Sequence, residues 1–429
     1  MDLAALSLAA LVLAIVISST TSVNVGFLAI SLAWIVGVYI GDMSTSEIIS
    51  GFPTSLFLTL AGVTLLFTQA QVNGTLEKVA HRAVLSCRGN TGVIPIMFFF
   101  LAASLASIGP GNIAAAALLA PMAMVVAGQV GIPAFLMAIM VGNGANAGSL
   151  SPIAPTGIIV NGVMANAGLV GFEWHNYFNN LIAHTAVAFA GYFLLGGWRL
   201  FKRSSSDTPI SENSTAPVTQ TSSMNQASQP FEPRHVVTLG VIGALVVGVI
   251  FFKVHVGMGA FTGAVLLTML KLADEVDAVR NMPWRVIMLV CGVTVLIGLM
   301  SRTGGLDLFT SYLARFSSQG TVTGVVAFFT GIISIYSSTS GVVLPAFLPT
   351  IPGLIEQQGG GDALAIASAM NVGGHLVDVS PLSTIGALCL ASAPATEDSR
   401  ALFNKLMIWG LSMSVVGGLT SWLFFGLLW

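Results

Sequence analysis

The chain alternates between long apolar stretches and short polar interruptions, and the apolar stretches have the length of membrane-spanning helices. About 20 mainly apolar residues cross the hydrocarbon core of a bilayer as a helix. Ten segments meet this pattern, and two of them are interrupted near the middle by Gly, Asn, Ser and Pro. The predicted spans cover residues 3–20, 23–41, 53–72, 132–166 (interrupted), 179–200, 235–252, 256–272, 286–301, 362–395 (interrupted) and 405–428.

Two further apolar stretches, residues 91–128 and 321–357, are predicted to enter and leave the membrane on one side as re-entrant hairpins. Each has two arms of about 15 residues, which is too short to cross comfortably. The arms meet at "SIGPGN", residues 107–112, and at "SSTSG", residues 337–341. The Gly-Pro-Gly sequence of the first joint breaks a helix. Since non-helical backbone at this depth needs protein or a wet cavity around it, both joints mark a candidate site.

The positive charges decide the orientation of the predicted spans. If the N-terminus lies outside, 12 of the 15 Lys and Arg residues fall in the cytoplasm, and only Lys253, Arg302 and Arg315 fall outside. Cytoplasmic loops carry an excess of Lys and Arg, and the opposite orientation would reverse this bias. The first apolar run has no Lys or Arg before it, unlike a cleaved signal peptide. We therefore expect both termini outside and a retained first span.

Composition supports the membrane assignment and excludes several function classes. The chain is 55% hydrophobic and only 7% charged, whereas soluble domains carry roughly 25% charged residues. The net charge of −2 makes nucleic acid an unexpected partner. The three cysteines are far apart and show neither metal spacing nor a disulfide framework. The lipid bilayer is thus the first predicted partner.

The two halves of the chain resemble each other in sequence. "LAGVTLLFTQAQVNGTLEKV" at 60–79 aligns without a gap with "VCGVTVLIGLMSRTGGLDLF" at 290–309, an offset of 230 residues. "GNGANAGSLSPIAPTG" at 142–157 aligns with "NVGGHLVDVSPLSTIG" at 371–386, an offset of 229. Because the predicted topology runs the paired spans in opposite directions, the halves form an inverted repeat. Inverted repeats with paired broken helices are typical of secondary transporters.

The predicted fold is therefore an all-α polytopic membrane protein with inverted-topology repeats, about ten spans and two re-entrant helical hairpins. The predicted regions are N-terminal scaffold spans (1–90), a first transport half with hairpin, broken span and following span (91–200), a flexible Ser-, Thr-, Pro- and Gln-rich cytoplasmic linker (201–234), second scaffold spans (235–320) and a second transport half with hairpin, broken span and last span (321–429).

The breaks supply chemistry because interrupted helices expose unpaired backbone groups. Free N–H groups at a helix start favour anions, and free C=O groups at a helix end favour cations. No Lys or Arg lies in any of the four break motifs. A dicarboxylate alone would be costly to desolvate there, so cation-coupled symport is the economical hypothesis. The competing interpretation is that small residues only permit close packing of helices in lipid.

Two titratable residues stand out in the second broken span. His375 and Asp378 are three residues apart and would share one face of a helix. Asp378 could ligate Na⁺ or carry a proton, and His375 could meet a substrate carboxylate. The alternative is that the two residues pair only with each other as a structural cap. Their repeat mates, Asn146 and Ser149, are neutral, so any charged role belongs to one half.

The break motifs, "SIGPGN" with "GSLSPIAPTG" and "SSTSG" with "DVSPLSTIG", resemble those of the ion-transporter superfamily that includes the divalent-anion/sodium symporters. The first hundred residues resemble the malonate/dicarboxylate carriers of the MatC type. The resemblance implies an elevator-type transporter, a homodimer with a static scaffold and a mobile transport domain. In the second hairpin tip, Ser and Thr stand where the family has Asn.

The resemblance and the local chemistry together give two sets of candidate site residues. The candidate substrate contacts are Ser107, Asn112, Ser149, Ser151, Thr156, Ser338, Thr339, Ser340, His375, Ser380 and Thr384. The candidate Na⁺ ligands are Ser107, Asn112, Gly148, Ser338, Ser340 and Asp378. No other cofactor is expected, and Na⁺ is favoured over H⁺ as the coupling ion.

We predict an importer of a small dicarboxylate, with malonate the best single candidate, in a bacterial inner membrane. A cation/proton antiporter or a metalloid anion exporter on the same scaffold is the alternative, with Asp378 and His375 as the exchange site. An intramembrane protease is disfavoured. "GGGD", residues 359–362, matches a Gly-x-Gly-Asp pattern, but the chain has no Tyr-Asp pair and no His-Glu-x-x-His motif. We therefore expect no enzymatic activity.

Overall fold

In the computed structural model of the chain, the described residues are 2–21, 23–85, 90–202, 231–394 and 397–428. All regular secondary structure among them is helical. The predicted linker, residues 201–234, falls largely on 203–230, which lie outside the described residues.

The first half of the chain contains ten α-helices. They are α1 (Leu3–Thr20), α2 (Val25–Trp34, continued as a π-helix over Ile35–Ile40), α3 (Thr45–Ile49), α4 (Thr54–Val72), α5 (Thr75–Leu85), α6 (Val93–Ile108), α7 (Gly111–Val130), α8 (Ala134–Gly148), α9 (Pro155–Asn166) and α10 (Glu173–Leu194). A 3₁₀ turn, Gly197–Lys202, follows α10.

The second half repeats this order. Its helices are α11 (Pro233–Phe252), α12 (Val256–Met269), α13 (Glu275–Asn281), α14 (Trp284–Thr303), α15 (Gly305–Arg315), α16 (Val322–Tyr336), a π-turn (Thr339–Val343) leading into α17 (Leu344–Phe347), a 3₁₀ turn (Leu348–Thr350), α18 (Ile351–Gln358), α19 (Ala363–Leu376, extended by a 3₁₀ turn over Val377–Val379), α20 (Thr384–Ala391) and α21 (Ser399–Ser421, continued as a π-helix over Trp422–Leu427).

Helices therefore occupy every predicted span, and both predicted hairpin joints and both predicted breaks interrupt a helix. Within the described residues, seven helices are long and apolar enough to cross a membrane, several others being shortened by these interruptions. The protein is an integral membrane protein built from helices. The number of spans, their orientation and the elevator mechanism stay predictions.

Close glycine contacts show how the two repeats pack on each other. A Cβ atom added to Gly292 of α14 would lie 2.1 Å from the Gly26 carbonyl oxygen of α2. A Cβ atom added to Gly62 of α4 would lie 2.4 Å from the Gly257 carbonyl oxygen of α12. These are repeat mates, so each half contributes one partner to each crossing. Such reciprocal contacts are what two copies related by a pseudo-twofold axis produce.

Two polar contacts at the ends of the helices agree with the predicted topology. The Lys78 Nζ lies 3.7 Å from a carboxylate oxygen of Glu232, and both residues are predicted to be cytoplasmic. The Arg302 guanidinium donates to the Glu47 carbonyl oxygen at 3.0 Å and to the Ser50 hydroxyl at 2.8 Å. All three of these residues are predicted to lie outside.

Candidate functional site

The first hairpin turns on two glycines between α6 and α7. Gly109 has φ 151° and Gly111 has φ 82°, values that favour glycine over residues with a Cβ atom. Space gives a second reason at Gly109, because an added Cβ would lie 2.0 Å from the ring of Phe67. The tip is therefore seated directly on α4. Pro110 between the two glycines has no N–H to continue a helix.

The second hairpin turns without such a glycine. Helix α16 ends at Tyr336, and Ser337 and Ser338 are extended. The Ser338 hydroxyl then accepts a hydrogen bond from the Gly341 N–H at 3.2 Å, which caps the new helix start. The returning arm is short helical pieces, α17 and α18, because prolines interrupt it repeatedly.

The two broken helices adopt the same local structure. The first break separates α8 from α9, and the second separates α19 from α20. A Cβ atom on Gly157 would lie 2.0 Å from the Ser151 carbonyl oxygen, and one on Gly386 would lie 2.0 Å from the Ser380 carbonyl oxygen. Because these four residues are repeat mates at an offset of 229, both breaks require glycine for the same close backbone approach.

In the first half, amide side chains join the hairpin tip to the break. Asn112, at the start of α7, donates its Nδ2–H to the Asn146 Oδ1 at 2.9 Å. Its own Oδ1 accepts from the Thr156 hydroxyl at 3.3 Å. The Asn146 amide then donates to the backbone oxygen of His375, its repeat mate, at 3.2 Å. This last contact places the meeting point of the two repeats beside the site.

In the second half, a carboxylate takes the equivalent position. The Thr339 hydroxyl lies 2.7 Å from the Asp378 Oδ1 and 3.3 Å from the Gly374 carbonyl oxygen. The Ser383 hydroxyl donates to the backbone oxygen of Asp378. Asp378 and His375 do not form the structural cap that the sequence left open, since the His375 Nδ1 pairs with the Asn371 carbonyl oxygen at 2.9 Å.

Two cavities lie at these joints. The first cavity has a volume of about 170 Å³ and is lined by Thr64, Phe67, Thr68, Gln71, Gly109, Pro110, Gly111, Asn112, Ile113, Ala114, Pro155, Thr156, Ile159, Asn281, Pro283, Val286 and Ser340. The second cavity has a volume of about 210 Å³ and is lined by Val25, Asn112, Ile113, Leu289, Tyr336, Ser337, Ser338, Thr339, Ser340, Val342, Asp378, Leu382, Ser383, Thr384 and Ile385. They share Asn112, Ile113 and Ser340 and so adjoin each other.

The starts of four interrupted helices meet at these cavities. Helices α7 and α9 begin at Gly111 and Pro155 on the first cavity, and the second hairpin's π-turn and α20 begin at Thr339 and Thr384 on the second. The first N–H groups of a helix have no partner within it and carry partial positive charge. Asp378 is the one ionisable acid or base among the lining residues that the structure describes.

The structure brings seven of the predicted residues to the cavities. They are Asn112, Thr156, Ser338, Thr339, Ser340, Asp378 and Thr384.

The other six predicted residues lie away from both cavities. The Ser107 hydroxyl donates to the Ala103 carbonyl oxygen at 2.7 Å and lies 3.0 Å from the Tyr177 hydroxyl. The buried Ser149 hydroxyl donates to the Asn146 carbonyl oxygen at 2.8 Å. The remaining four, Gly148, Ser151, His375 and Ser380, are buried in the packing around the breaks.

Several lining residues were not predicted from the sequence. Thr64, Thr68 and Gln71 lie on α4 and form one wall of the first cavity. Their spacing of four and then three residues places them on one face of a helix. A polar stripe on an otherwise apolar span was the signal that could have found them. Asn281, which ends α13, carried no comparable signal.

Two comparisons with protein families define the class of this protein. Residues 1–149 match the family described as the dicarboxylate carrier protein MatC N-terminus, and residues 246–429 match the citrate transporter family. A comparison with curated proteins found no match. The family matches confirm the resemblance to dicarboxylate carriers of the ion-transporter superfamily.

Solved structures share the fold at low sequence identity. The antimetabolite efflux pump MtrF of Neisseria gonorrhoeae is 12% identical, with a TM-score of 0.59 over 90% of this chain and 83% of that one. The YdaH transporter of Alcanivorax borkumensis is 13% identical, with a TM-score of 0.58 over 90% of this chain and 87% of that one. The fold is thus that of membrane transporters. With the family matches, the protein is a membrane transporter of the dicarboxylate and citrate type, a carrier rather than an enzyme.

Proposed function

We propose that this protein is a secondary active transporter that couples the inward movement of a cation to the import of a small dicarboxylate. Malonate is the first candidate substrate, and Na⁺ is favoured over H⁺ as the coupling ion. The observation that carries the proposal is the meeting of four helix starts at two adjoining cavities that contain a single carboxylate and no basic side chain.

The first cavity suits the anionic part of the substrate. Its polar lining is neutral, with threonine hydroxyls and the amides of Gln71, Asn112 and Asn281. Helices α7 and α9 both start there, and helix starts attract anions. Asn112 and Thr156 are almost fully buried, at 5% and 4% exposure, so a carboxylate in contact with them would be shielded from water. Hydrogen bonds to ionised groups are the strong ones in such surroundings.

The second cavity suits the coupling cation. The Asp378 carboxylate is its one charged group, and hydroxyl oxygens of Ser338, Ser340 and Thr384 are also in its lining. Carboxylate and hydroxyl oxygens are the ligands that hard cations take. A dianion arriving beside Asp378 without a cation would be repelled, because like charges at short range in low dielectric interact strongly. A cation at Asp378 removes that repulsion, which gives the coupling its physical reason.

The proposal is tested by uptake of radiolabelled malonate into proteoliposomes with and without an inward Na⁺ gradient. We expect gradient-dependent accumulation by the wild type and none by protein-free liposomes. An H⁺ gradient replaces the Na⁺ gradient in a parallel arm. Absence of cation-dependent uptake for every three- and four-carbon diacid would refute the proposal.

A second candidate function rests on Asp378 alone. A lone carboxylate in a cavity could exchange Na⁺ for H⁺, or assist export of an oxyanion, on the same scaffold. MtrF, which shares the fold, is described as an efflux pump. This candidate predicts that an outward substrate gradient, rather than an inward cation gradient, drives flux. Loading the liposomes with malonate or with arsenite and measuring release separates the two. Dimer formation, elevator motion and a bacterial inner membrane stay expectations under either function.

A further inference from the structure

A buried polar cluster lies outside both cavities, where α8, α10 and α19 pack together. Its members are amide and imidazole side chains that are all fully buried, and none of them lines a cavity. They are Asn143 and Asn146 of α8, Asn180 and His184 of α10, and Asn371 and His375 of α19. So many buried polar groups need hydrogen-bond partners, and a group left without one carries a cost.

The hydrogen bonds fix which nitrogen of each histidine carries its proton. The His375 Nδ1 lies 2.9 Å from the Asn371 carbonyl oxygen, which can only accept. The His184 Nδ1 lies 3.0 Å from the Asn143 Oδ1, while the Asn143 Nδ2 donates to the Ile139 carbonyl oxygen at 3.0 Å. Both rings therefore hold their hydrogen at Nδ1. In the neutral ring the other nitrogen, Nε2, is then an acceptor.

The cluster has a surplus of acceptors. Both histidine Nε2 atoms are buried without a partner, and so are the Oδ1 atoms of Asn180 and Asn371. The amide hydrogens of these two asparagines are used, toward the Asn146 carbonyl oxygen at 2.7 Å and the Asn176 Oδ1 at 3.4 Å. In the described part of the chain, the Trp409 indole is the one buried side-chain N–H without a partner. One such donor cannot serve four acceptors.

The acceptors belong to one neighbourhood. Asn146 receives the Asn180 amide and donates to the His375 backbone, so α10 and α19 meet at the same residue of α8. His184 lies one turn from Asn180 on α10, and the two imidazoles are close enough to interact electrostatically. We propose that His184 and His375 form a proton-binding site. A proton taken from water binds one Nε2, and the resulting N–H donates to the other ring or to an asparagine Oδ1.

The charged groups around the cluster favour a single bound proton. Helix α8 contributes no titratable residue, and the Tyr192 hydroxyl of α10 donates to the carbonyl oxygens of Gly92 and Gly197. Tyr177 is engaged with Ser107, and Lys405 of α21 is exposed. Asp378, three residues after His375, is the one acid of the second break. One imidazolium would balance its negative charge, whereas two would leave a surplus of positive charge in low dielectric.

The role of this proton in transport rests on the proposed function, whereas proton binding itself does not. Asn146 connects the cluster to Asn112, which lines both cavities. Binding of a dianion beside Asp378 adds negative charge near the histidines, so it should favour their protonation. We therefore expect that a proton crosses the membrane with the substrate, in addition to any cation at Asp378.

Proton binding is tested without substrate by acid titration of purified protein between pH 8 and pH 5. The double variant His184→Asn/His375→Asn is the comparison, because an asparagine Nδ2 can replace the donor at Nδ1 but cannot titrate. We expect the wild type to take up one proton more than the double variant. A difference of zero, as internal water at the cluster would give, overturns the proposal, and so does a difference of two independent protons.

Controls address folding and ordinary histidines. His175→Asn changes an exposed histidine on the same helix, α10, and we expect it to remove one ordinary proton without altering transport. If the double variant fails to elute as a folded protein in gel filtration, His375→Asn alone is titrated. The proposal then expects uptake of the shared proton to shift to lower pH, and an unchanged curve, after correction for one ordinary histidine, overturns it.

Transport is tested separately with a pH-sensitive dye inside proteoliposomes. We expect malonate entry to acidify the lumen with the wild type and with His175→Asn, but not with the double variant. Thermal stabilisation of the double variant by malonate should persist. Malonate entry without proton movement in the wild type overturns the transport role. Absence of malonate binding in every protein refutes the proposed function instead, and the substrate-free titration still decides proton binding.

Discussion

The two halves of the site share one backbone plan but differ in side-chain chemistry. In both, a hairpin tip meets a broken helix whose glycine approaches a serine carbonyl oxygen at the same distance. In the first half the contact is made by amides, with Asn112 bonded to Asn146 and Thr156. In the second half it is made by a hydroxyl and a carboxylate, Thr339 and Asp378. Duplication supplied the geometry, and substitution gave the halves different ligands.

The hairpins differ in rigidity as well as in charge. The arms of the first hairpin, α6 and α7, pack on each other and on α8. The outgoing arm of the second, α16, packs on α19 and α21, whereas its proline-rich return arm also contacts α14 and α15 of the scaffold. The first hairpin is therefore a compact unit, and the second bridges the two parts of the fold. The neutral, compact half suits an anion, and the acidic half suits a cation.

Asp378→Asn should have the largest effect, because it removes the one charge of the second cavity. We expect Na⁺-dependent uptake to fall on the order of a hundredfold, since losing a hydrogen bond to a charged group costs about 1.5–3 kcal/mol. The measurement is malonate uptake against Na⁺ concentration. Asp362→Asn is the matched control, because Asp362 only caps α19 through the Ala365 N–H at 2.8 Å and Asn caps equally well. An Asp378→Asn protein with wild-type Na⁺ dependence would make this residue structural.

Gly109→Ala should have the next largest effect, because the new Cβ meets the Phe67 ring and the backbone has φ 151°. Overpacking of this kind costs about 1–3 kcal/mol, and we expect a matching loss of thermal stability and uptake. Gly168→Ala isolates the backbone effect, since φ there is also positive and nothing lies within 4 Å. Gly341→Ala in the second tip should cost less, because the new Cβ mainly meets the end of the Leu289 side chain. Equal losses at both tips would contradict the difference in rigidity.

Asn112→Ala should lower uptake about tenfold, because it leaves buried partners of Asn146 and Thr156 unpaired, at about 1–3 kcal/mol. We expect the malonate concentration for half-maximal uptake to rise while the Na⁺ dependence stays close to that of the wild type. Ser340→Ala, which removes a hydroxyl shared by both cavities, should have a smaller effect on both. Wild-type kinetics in both variants, at normal expression, would show that the site lies elsewhere.

Thr339→Val should have the smallest effect. It keeps the shape of the side chain but removes the hydrogen bond to Asp378, worth about 1 kcal/mol and so about fivefold in an equilibrium constant. We expect weaker Na⁺ dependence with little change in the half-saturating malonate concentration. Thr156→Val is the counterpart in the first half and should alter malonate affinity instead. The reverse pattern would exchange the assignments of the two cavities.

The sequence predicted the architecture well because its signals are periodic and repeated. Span length, the Gly-Pro-Gly joint and the alignment at offsets of 230 and 229 residues located the helices, hairpins and breaks. It predicted less about which side chains face a cavity. Ser107, Ser149 and Ser380 lie in the motifs but face neighbouring helices, because the direction of a side chain at a break depends on local backbone angles that motif letters do not specify.

Contacts between distant segments were also beyond the sequence. The polar face of α4 forms a wall of the first cavity only because the first hairpin tip sits on Phe67. His184 gave no sign of a role while it was taken as an isolated histidine in an apolar span. Its closeness to His375 depends on how α10 packs against α8 and α19, which no local pattern contains.

The central claim, that one half holds the anion and the other the cation, is tested most directly by thermal stabilisation. Purified wild type and Asp378→Asn are unfolded in Na⁺ or in K⁺, each with diacids of two to five carbons. A ligand stabilises the folded state in proportion to its binding. We predict that malonate stabilises the wild type strongly only in Na⁺, and that Asp378→Asn shows the same weak effect in both salts. Equal stabilisation of the wild type in Na⁺ and K⁺, or a Na⁺ effect that survives in Asp378→Asn, would contradict it.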